Sequence, residues 1–281
     1  MSILEVKNLK YRYDKYEESS KYAIDDISFN VEEKDFVALI GRSGSGKSTL
    51  ISHLNGLYKA DSGDILFKGK SIYSSDLDLT DLRFKVGLVF QYPEYQLFSE
   101  TVIEDVAFGA MKKGLSKEEA YKKSLEVLKT FDIEYLKDES PFNLSGGEKR
   151  KVAFAGVFVM EPEVIILDEP DAGLDTISKS NFYNLVKNLN DKFGTTVIFI
   201  THNLDDVIEY ANKVIVLNEG KLLSMGRPYE IFSNETLMKI SDLETPYAIS
   251  IYNKLVSKGY NVDNNKLKFD DLLNSLKNCN V

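Results

Sequence analysis

The sequence is short of the residues that build disulfides, metal cages, basic patches and membrane spans. Cysteine occurs once among 281 residues, as Cys279 beside the C-terminus. One terminal thiol excludes an internal disulfide, argues against a thiol-bound metal and fits a reducing compartment. Positive charge is scarce as well: 35 Lys and Arg stand against 44 Asp and Glu, a formal charge of -9. A general nucleic-acid surface must neutralise phosphates with clustered cations, so the charge argues against that partner and any phosphate site has to be local. The longest apolar stretches, such as Val152 to Met160, fall far below the roughly 20 residues that cross a bilayer, so work at a membrane would need partner subunits. Met1, Ser2, Ile3, Leu4 and Glu5 combine neither a basic start nor a long apolar segment, and no signal peptide is expected. Internal repeats and low-complexity tracts are missing too.

What is present is a chain with 43% apolar and 28% charged residues, the composition of one globular core plus a small appendage. β-Branched content and alternation predict strands near 3–9, 27–31, 36–40, 86–90, 164–167, 195–200 and 214–217. Between 100 and 136 the pattern turns helical, with Leu115, Ala120, Leu125, Leu128 and Phe131 spaced for an amphipathic face. After about Asn234 the sheet pattern ends. Pro246 and Gly259 bracket a predicted helix carrying Ile249, Tyr252 and Leu255, and a second short helix carries Leu272, Leu273 and Leu276. Strand, glycine loop and helix follow one another at 36–54, half of a βαβ unit and a pointer to a parallel α/β sheet. The N-terminal strands are expected to form an antiparallel side sheet.

Gly41, Arg42, Ser43, Gly44, Ser45, Gly46, Lys47 and Ser48 match GxxxxGK[ST] between that strand and that helix. Glycines let backbone N–H groups turn inward around nucleotide β- and γ-phosphates; the helix N-terminus adds partial positive charge and Lys47 a full one. Ser48 offers an oxygen to Mg²⁺, and Thr49 completes the nucleotide-binding set. The plainer reading, a glycine-rich turn that merely starts a helix, fits this context less well. The motif alone leaves open which NTPase it serves.

Val164 to Glu169 reads as a buried strand ending in two carboxylates, tolerable there only with a cation or polar partners nearby. Asp168 would hold nucleotide-bound Mg²⁺, while Glu169 would polarise the attacking water. Two surface acids at a strand end are the alternative. Farther upstream, Ser145 with Glu148 has the form of a capping box, which by itself marks only a helix start.

Leu144, Ser145, Gly146, Gly147 and Glu148 resemble, with one change, the LSGGQ signature of ATP-binding-cassette ATPases, and Ser145 precedes Asp168 by 23 positions. The resemblance implies that Ser145, Gly146 and Gly147 grip the γ-phosphate of ATP bound by a facing subunit. It extends to Gln91, similar to the Q-loop glutamine that senses Mg²⁺ and the transmembrane partner, and to His202, similar to the switch histidine that bonds the γ-phosphate. His53, the other histidine, is expected to pack or lie on the surface. Asp175 resembles the D-loop residue that crosses to the partner. Tyr13 resembles the aromatic that stacks on adenine, with Tyr11 on the same strand face as the second choice. Two residues depart from the family pattern: Glu148 replaces a glutamine, and Asp171 replaces a small or neutral residue. Extra carboxylates near phosphates would weaken nucleotide affinity by like-charge repulsion.

Phe90 to Phe98, reading FQYPEYQLF, resembles the Q-loop region of energy-coupling-factor ATPases, in particular the second of their two types. Ala155, Gly156 and Val157, the run Met160 to Glu163, and the long loop from Asp14 to Tyr22 agree. The resemblance implies a phosphate-loop NTPase of α/β class, with a mostly parallel core sheet, an antiparallel side sheet, a helical subdomain at about 95–150 and a C-terminal helical extension. Residues 1–235 would form the ATP-binding domain and 236–281 the extension toward a sister ATPase. Catalysis would fall to Glu169, His202, Lys47 and Gln91, with ATP and Mg²⁺ as cofactors and Ser48, Gln91 and Asp168 around the metal. Partners would be a homologous ATPase, preferably in a heterodimer, a transmembrane coupling subunit and a substrate-binding membrane subunit, placing the chain peripherally at the cytoplasmic face of the cell membrane. The implied function is ATP-powered uptake of vitamins or transition-metal ions. Tyr92, Tyr95, Leu97 and Phe98 would form an exposed docking loop, unless they pack under the helical subdomain. The rival reading is a cassette ATPase acting on nucleic acid, ribosomes or iron–sulfur assembly. It is disfavoured by the lack of a coiled-coil insertion between Lys47 and Ser145, of a second cassette and of a basic stripe. Another transporter subtype stays open.

Overall fold

The computed structural model describes residues 1–14, 21–260, 262–264 and 267–278. Cys279 and most of the expected 14–22 loop lie outside the described residues. The strands are β1 (Ser2–Tyr11), β2 (Ile24–Glu32), β3 (Phe36–Ile40), β4 (Ser62–Phe67), β5 (Lys70–Ser71), β6 (Val86–Val89), β7 (Val164–Asp168), β8 (Thr196–Ile200), β9 (Lys213–Asn218) and β10 (Lys221–Gly226). The helices are α1 (Lys47–Leu54), α2 (Leu79–Lys85), α3 (Val102–Lys112), α4 (Lys117–Thr130), α5 (Gly146–Phe158), α6 (Thr176–Phe193), α7 (Leu204–Tyr210), α8 (Pro228–Phe232), α9 (Glu235–Ser241), α10 (Tyr247–Ser257) and α11 (Phe269–Asn278). Contacts divide the chain into two units. One gathers the described residues of Met1–His53, Lys59–Ser71 and Ile200–Val281, the other Leu54–Tyr58 and Ile72–Phe199.

In the first unit β1 runs antiparallel between β2 and β4, with β5 at the edge, as the expected side sheet. Val6 lies opposite Phe29 on one side and Ile65 on the other, so apolar cross-strand pairs fix the register. The register slips between Val6 and Leu9, where Asn8 takes a left-handed φ of 46°, and this bulge returns Leu9 to the core. β3 pairs in parallel with β9, Leu39 opposite Ile215. All five residues of β3 are buried, the pattern of a strand covered on both faces. β9 turns back into β10 through Glu219 and Gly220, both at positive φ (47° and 75°), a two-residue hairpin whose twist suits antiparallel strands. Toward the C-terminus α10 buries Ile249, Tyr252 and Leu255, as their spacing predicts. Leu272 of α11 is buried while Leu273 is 36% exposed.

In the second unit β6 pairs in parallel with β7, and β8 lies beside β7. Three helices, α3, α4 and α5, pack together, and the rings of Phe131, Phe154, Phe158 and Phe182 interlock at 5.3–5.8 Å. The expected amphipathic face is corrected in detail. Leu115 falls in the turn between α3 and α4, because Ser116 starts α4 with a capping box to Glu119, and Leu125 is only half-buried. Ala120, Ser124, Val127 and Leu128 form the buried stripe instead.

Candidate functional site

The phosphate-loop motif occupies the turn between β3 and α1. Gly41 and Gly46 hold φ values of 148° and 102°, and a Cβ there would sit 2.2 Å from the Leu217 carbonyl oxygen and 2.6 Å from that of Ala23. Neighbouring backbone therefore requires both glycines. The hairpin tip supports the same turn: the Gly220 N–H donates to the Ser45 carbonyl at 3.1 Å. Lys47 is buried, and its ammonium donates to the carbonyls of Gly41 at 2.8 Å and Arg42 at 3.0 Å. Ser48 is exposed in the first turn of α1, and nothing lies within 4 Å of a Cβ built on Gly44. A buried cation, an accessible hydroxyl and open backbone fit a phosphate chain with its cation. Arg42 pairs with Asp242 at 2.9 Å, but both side chains are largely exposed and the pair contributes little.

Tyr13 lies beyond the end of β1, so it does not share a strand face with Tyr11 as expected. Its hydroxyl is 2.8 Å from Thr49 Oγ1, its ring edge meets Tyr11 at 5.2 Å, and the residue is 62% exposed, which leaves aromatic surface open to a base. Tyr11 instead packs against His53 at 4.6 Å. His53 is buried, and its Nδ1 lies 2.8 Å from the Thr49 carbonyl oxygen. Burial pushes its pKa below the ordinary 6.5. The unfolded chain then takes up a proton near that value while the folded chain does not, so stability falls as pH drops below it. Melting measured from about pH 7 to about pH 5.5 is expected to decline more steeply for the wild type than for His53→Gln; parallel slopes would refute this. His202 is exposed just after β8, directly before the Asn203 cap of α7.

In the second unit Gln91 and Glu169 come together: Gln91 Nε2 donates to Glu169 Oε2 at 3.1 Å. Asp168 ends β7, and Glu169 follows with a left-handed φ of 45°, a conformation that non-glycine residues adopt at a cost of about 1–3 kcal/mol and that clusters at functional positions. Asp171, the unexpected acid, accepts from the Tyr183 hydroxyl at 3.1 Å and lies 3.9 Å from the Lys179 ammonium. These partners absorb charge that the sequence reading set against phosphate. Asp175 caps α6 by accepting from the N–H groups of Ile177 and Ser178, and the Ser178 hydroxyl holds its carboxyl below the usual range.

Ser145 is the N-cap of α5, with Gly146 and Gly147 exposed or half-exposed in its first turn. The departure at Glu148 has a visible effect. Its carboxylate accepts from the Ser145 hydroxyl at 2.6 Å, the Ser145 N–H at 3.0 Å and the Tyr135 hydroxyl at 3.1 Å. The two Ser145 bonds draw its pKa down.

Past Gln91, Pro93–Gln96 form a 3₁₀ turn entered through Tyr92 at a left-handed φ of 55°. Tyr95 is 84% and Phe98 58% exposed, but Leu97 is buried and does not belong to the exposed loop as expected. Asp105 pins the segment by accepting from the N–H groups of Phe98 and Ser99, each at 2.9 Å. Beside it opens a groove of about 490 Å³ whose apolar walls include Phe84, Leu97, Phe98, Phe108, Val157 and Met160. Sequence reasoning missed Arg150. It is 3% exposed on α5 and forks onto Glu94 of the 3₁₀ turn, and its one sequence signal is a cation just before the buried run Val152, Phe154, Ala155.

A glycine-bound phosphate loop after a parallel strand, with paired acids ending another, defines a phosphate-loop nucleoside triphosphatase. The ABC transporter family model matches residues 24–172. An energy-coupling factor transporter ATP-binding protein EcfA2 from Clostridioides difficile (strain 630) is 46% identical over 275 residues, 96% of this chain and 95% of the relative. The structure of cbiO1 from Clostridium perfringens, described as part of the ABC transporter complex cbiONQ, superposes with a TM-score of 0.76 at 39% identity, covering 90% of this chain and 99% of that one. The cassette MJ0796, a dimer in a post-hydrolysis state with ADP and Pi, gives 0.70 at 32% identity, covering 80% and 98%. The chain thus belongs to the ABC transporter ATPases, and among them to the energy-coupling factor transporter ATP-binding proteins. It binds and hydrolyses ATP. Among the described residues no helix is long and apolar enough to cross a membrane.

Proposed function

We propose that this ATPase powers uptake of vitamins or transition-metal ions from the cytoplasmic face of the cell membrane, beside a sister ATPase, a transmembrane coupling subunit and a substrate-binding membrane subunit. One observation carries the reading: the exposed aromatic turn and its apolar groove lie a few residues from Gln91, which is bonded to Glu169. A docked helix from the coupling subunit would cover the groove and reach that bond.

Backbone N–H groups of 41–49 cradle the phosphates and Lys47 exchanges its loop carbonyls for phosphate oxygens. Tyr13 stacks on adenine. Glu169 accepts a proton from the attacking water, and His202 bonds the γ-phosphate. Bound Mg²⁺ would neutralise phosphate charge, and Ser48, Gln91 and Asp168 are the residues that would hold it. Ser145, Gly146 and Gly147 close on the γ-phosphate of ATP held by the sister subunit, so the stabilising shell is complete only in the closed pair. A heterodimer is favoured by the second-type signature. Residues 1–235 do this work, and 236–281 form the extension toward the sister.

The test uses membrane vesicles that carry the coupling subunits. Wild-type protein is expected to sediment with them, and Tyr95→Glu to stay in solution while still binding ATP. Full membrane assembly of Tyr95→Glu would count against docking at this turn.

A further inference from the structure

Arg150 touches no residue assigned to phosphate, yet its side chain is 4% exposed and that of its partner Glu94 15%. A buried guanidinium is costly unless every direction of its fork is answered. Here Nε and Nη2 donate to the Glu94 carboxylate at 3.1–3.4 Å, while Nη1 donates to the Pro170 carbonyl at 2.9 Å. Glu94 belongs to the 3₁₀ turn that presents Tyr95, and Pro170 directly follows Glu169. The same turn region thus reaches the proposed base along two lines. Gln91 holds the Glu169 carboxylate, and the Glu94–Arg150 pair holds the backbone on its far side. The guanidinium is planar and charge-assisted, so a moved turn must either carry the Pro170 carbonyl with it or break those bonds.

We infer that Arg150 is a positioning residue that transmits displacement of the docking turn Pro93–Gln96 to the backbone of Glu169, so that occupancy of the apolar groove sets turnover. This rests on the docking reading above. Lysine at 150 would keep the charge but lose the fork, so it can answer Glu94 or Pro170 and not both. Glutamine at 94 would keep the shape and lose the charge.

The experiment measures ATPase activity of the paired ATPase subunits alone and reconstituted with the membrane coupling subunit, and takes the ratio. An inactive fraction of protein cancels in that ratio, whereas lost transmission does not. Arg150→Lys and Glu94→Gln are each expected to lower the ratio by about five- to tenfold. The double variant should fall no further, because both act through one contact. A wild-type ratio in either single variant, or additive losses in the double, overturns the inference while leaving docking intact. A wild-type protein that shows no stimulation overturns the docking reading and this inference with it.

Discussion

Glu169→Gln is expected to bind ATP as the wild type does and to hydrolyse it roughly 10²- to 10⁴-fold more slowly, the range of a lost general base. The substitution is isosteric. The Glu169 oxygen that accepts from Gln91 at 3.1 Å has a counterpart in the amide oxygen, so the contact and the left-handed backbone at 169 can persist. Only the ability to take a proton from water is removed. Phosphate release measures turnover, nucleotide retention on a filter measures binding, and light scattering follows association. An inactive variant that associates when ATP is added supports closure around unhydrolysed nucleotide. Normal hydrolysis by a monomer would sink both the base assignment and the composite site.

The second large effect concerns the phosphate loop itself. Gly46→Ala places a methyl 2.6 Å from the Ala23 carbonyl oxygen on a residue at φ 102°. Neither the carbonyl, fixed in the chain leading into β2, nor the turn can retreat without disturbing the Gly220 contact to Ser45. Strain and overpacking together should cost about 3 kcal/mol or more, lower the melting temperature by roughly 5 °C or more and abolish nucleotide binding. Gly44→Ala is the control. It shares the positive φ, at 77°, but meets nothing within 4 Å, so it should carry only the backbone strain, about 1–2 kcal/mol, and melt clearly above Gly46→Ala. Equal damage from both substitutions would mean that close backbone approach is not what selects glycine at 46.

Much of the fold is legible where burial is complete. The predicted strand 36–40 coincides with β3 because a strand covered on both faces is one unbroken apolar run. β4 and β10 are not legible in the sequence because both are partly exposed and carry glycine, so neither alternation nor an apolar run announces them. On α4 Ser124, fully buried and bonded to the Ala120 carbonyl, reads as polar in sequence, so the expected stripe falls on Leu125 instead. At the site, glycine and lysine spacing exposes the phosphate loop because its chemistry is local in the chain. The Gln91–Glu169 and Arg150–Glu94 contacts join residues 78 and 56 positions apart, and no periodicity encodes them. Asp171 illustrates the same limit: its effect turns on Tyr183, which only folding brings beside it.

Helix α5 has Ser145 as its N-cap, Arg150 in its second turn and Val157 in the wall of the apolar groove. Thirteen residues make about 20 Å of rod with little give along its length. The wall and the tip cannot be displaced independently, so whatever tilts one end swings the other through a proportionate arc. Such a beam works only while it stays straight. Substitutions that soften its interior, such as Ala155→Gly, would therefore loosen pump from engine without removing a side chain that lines the groove or meets nucleotide or base.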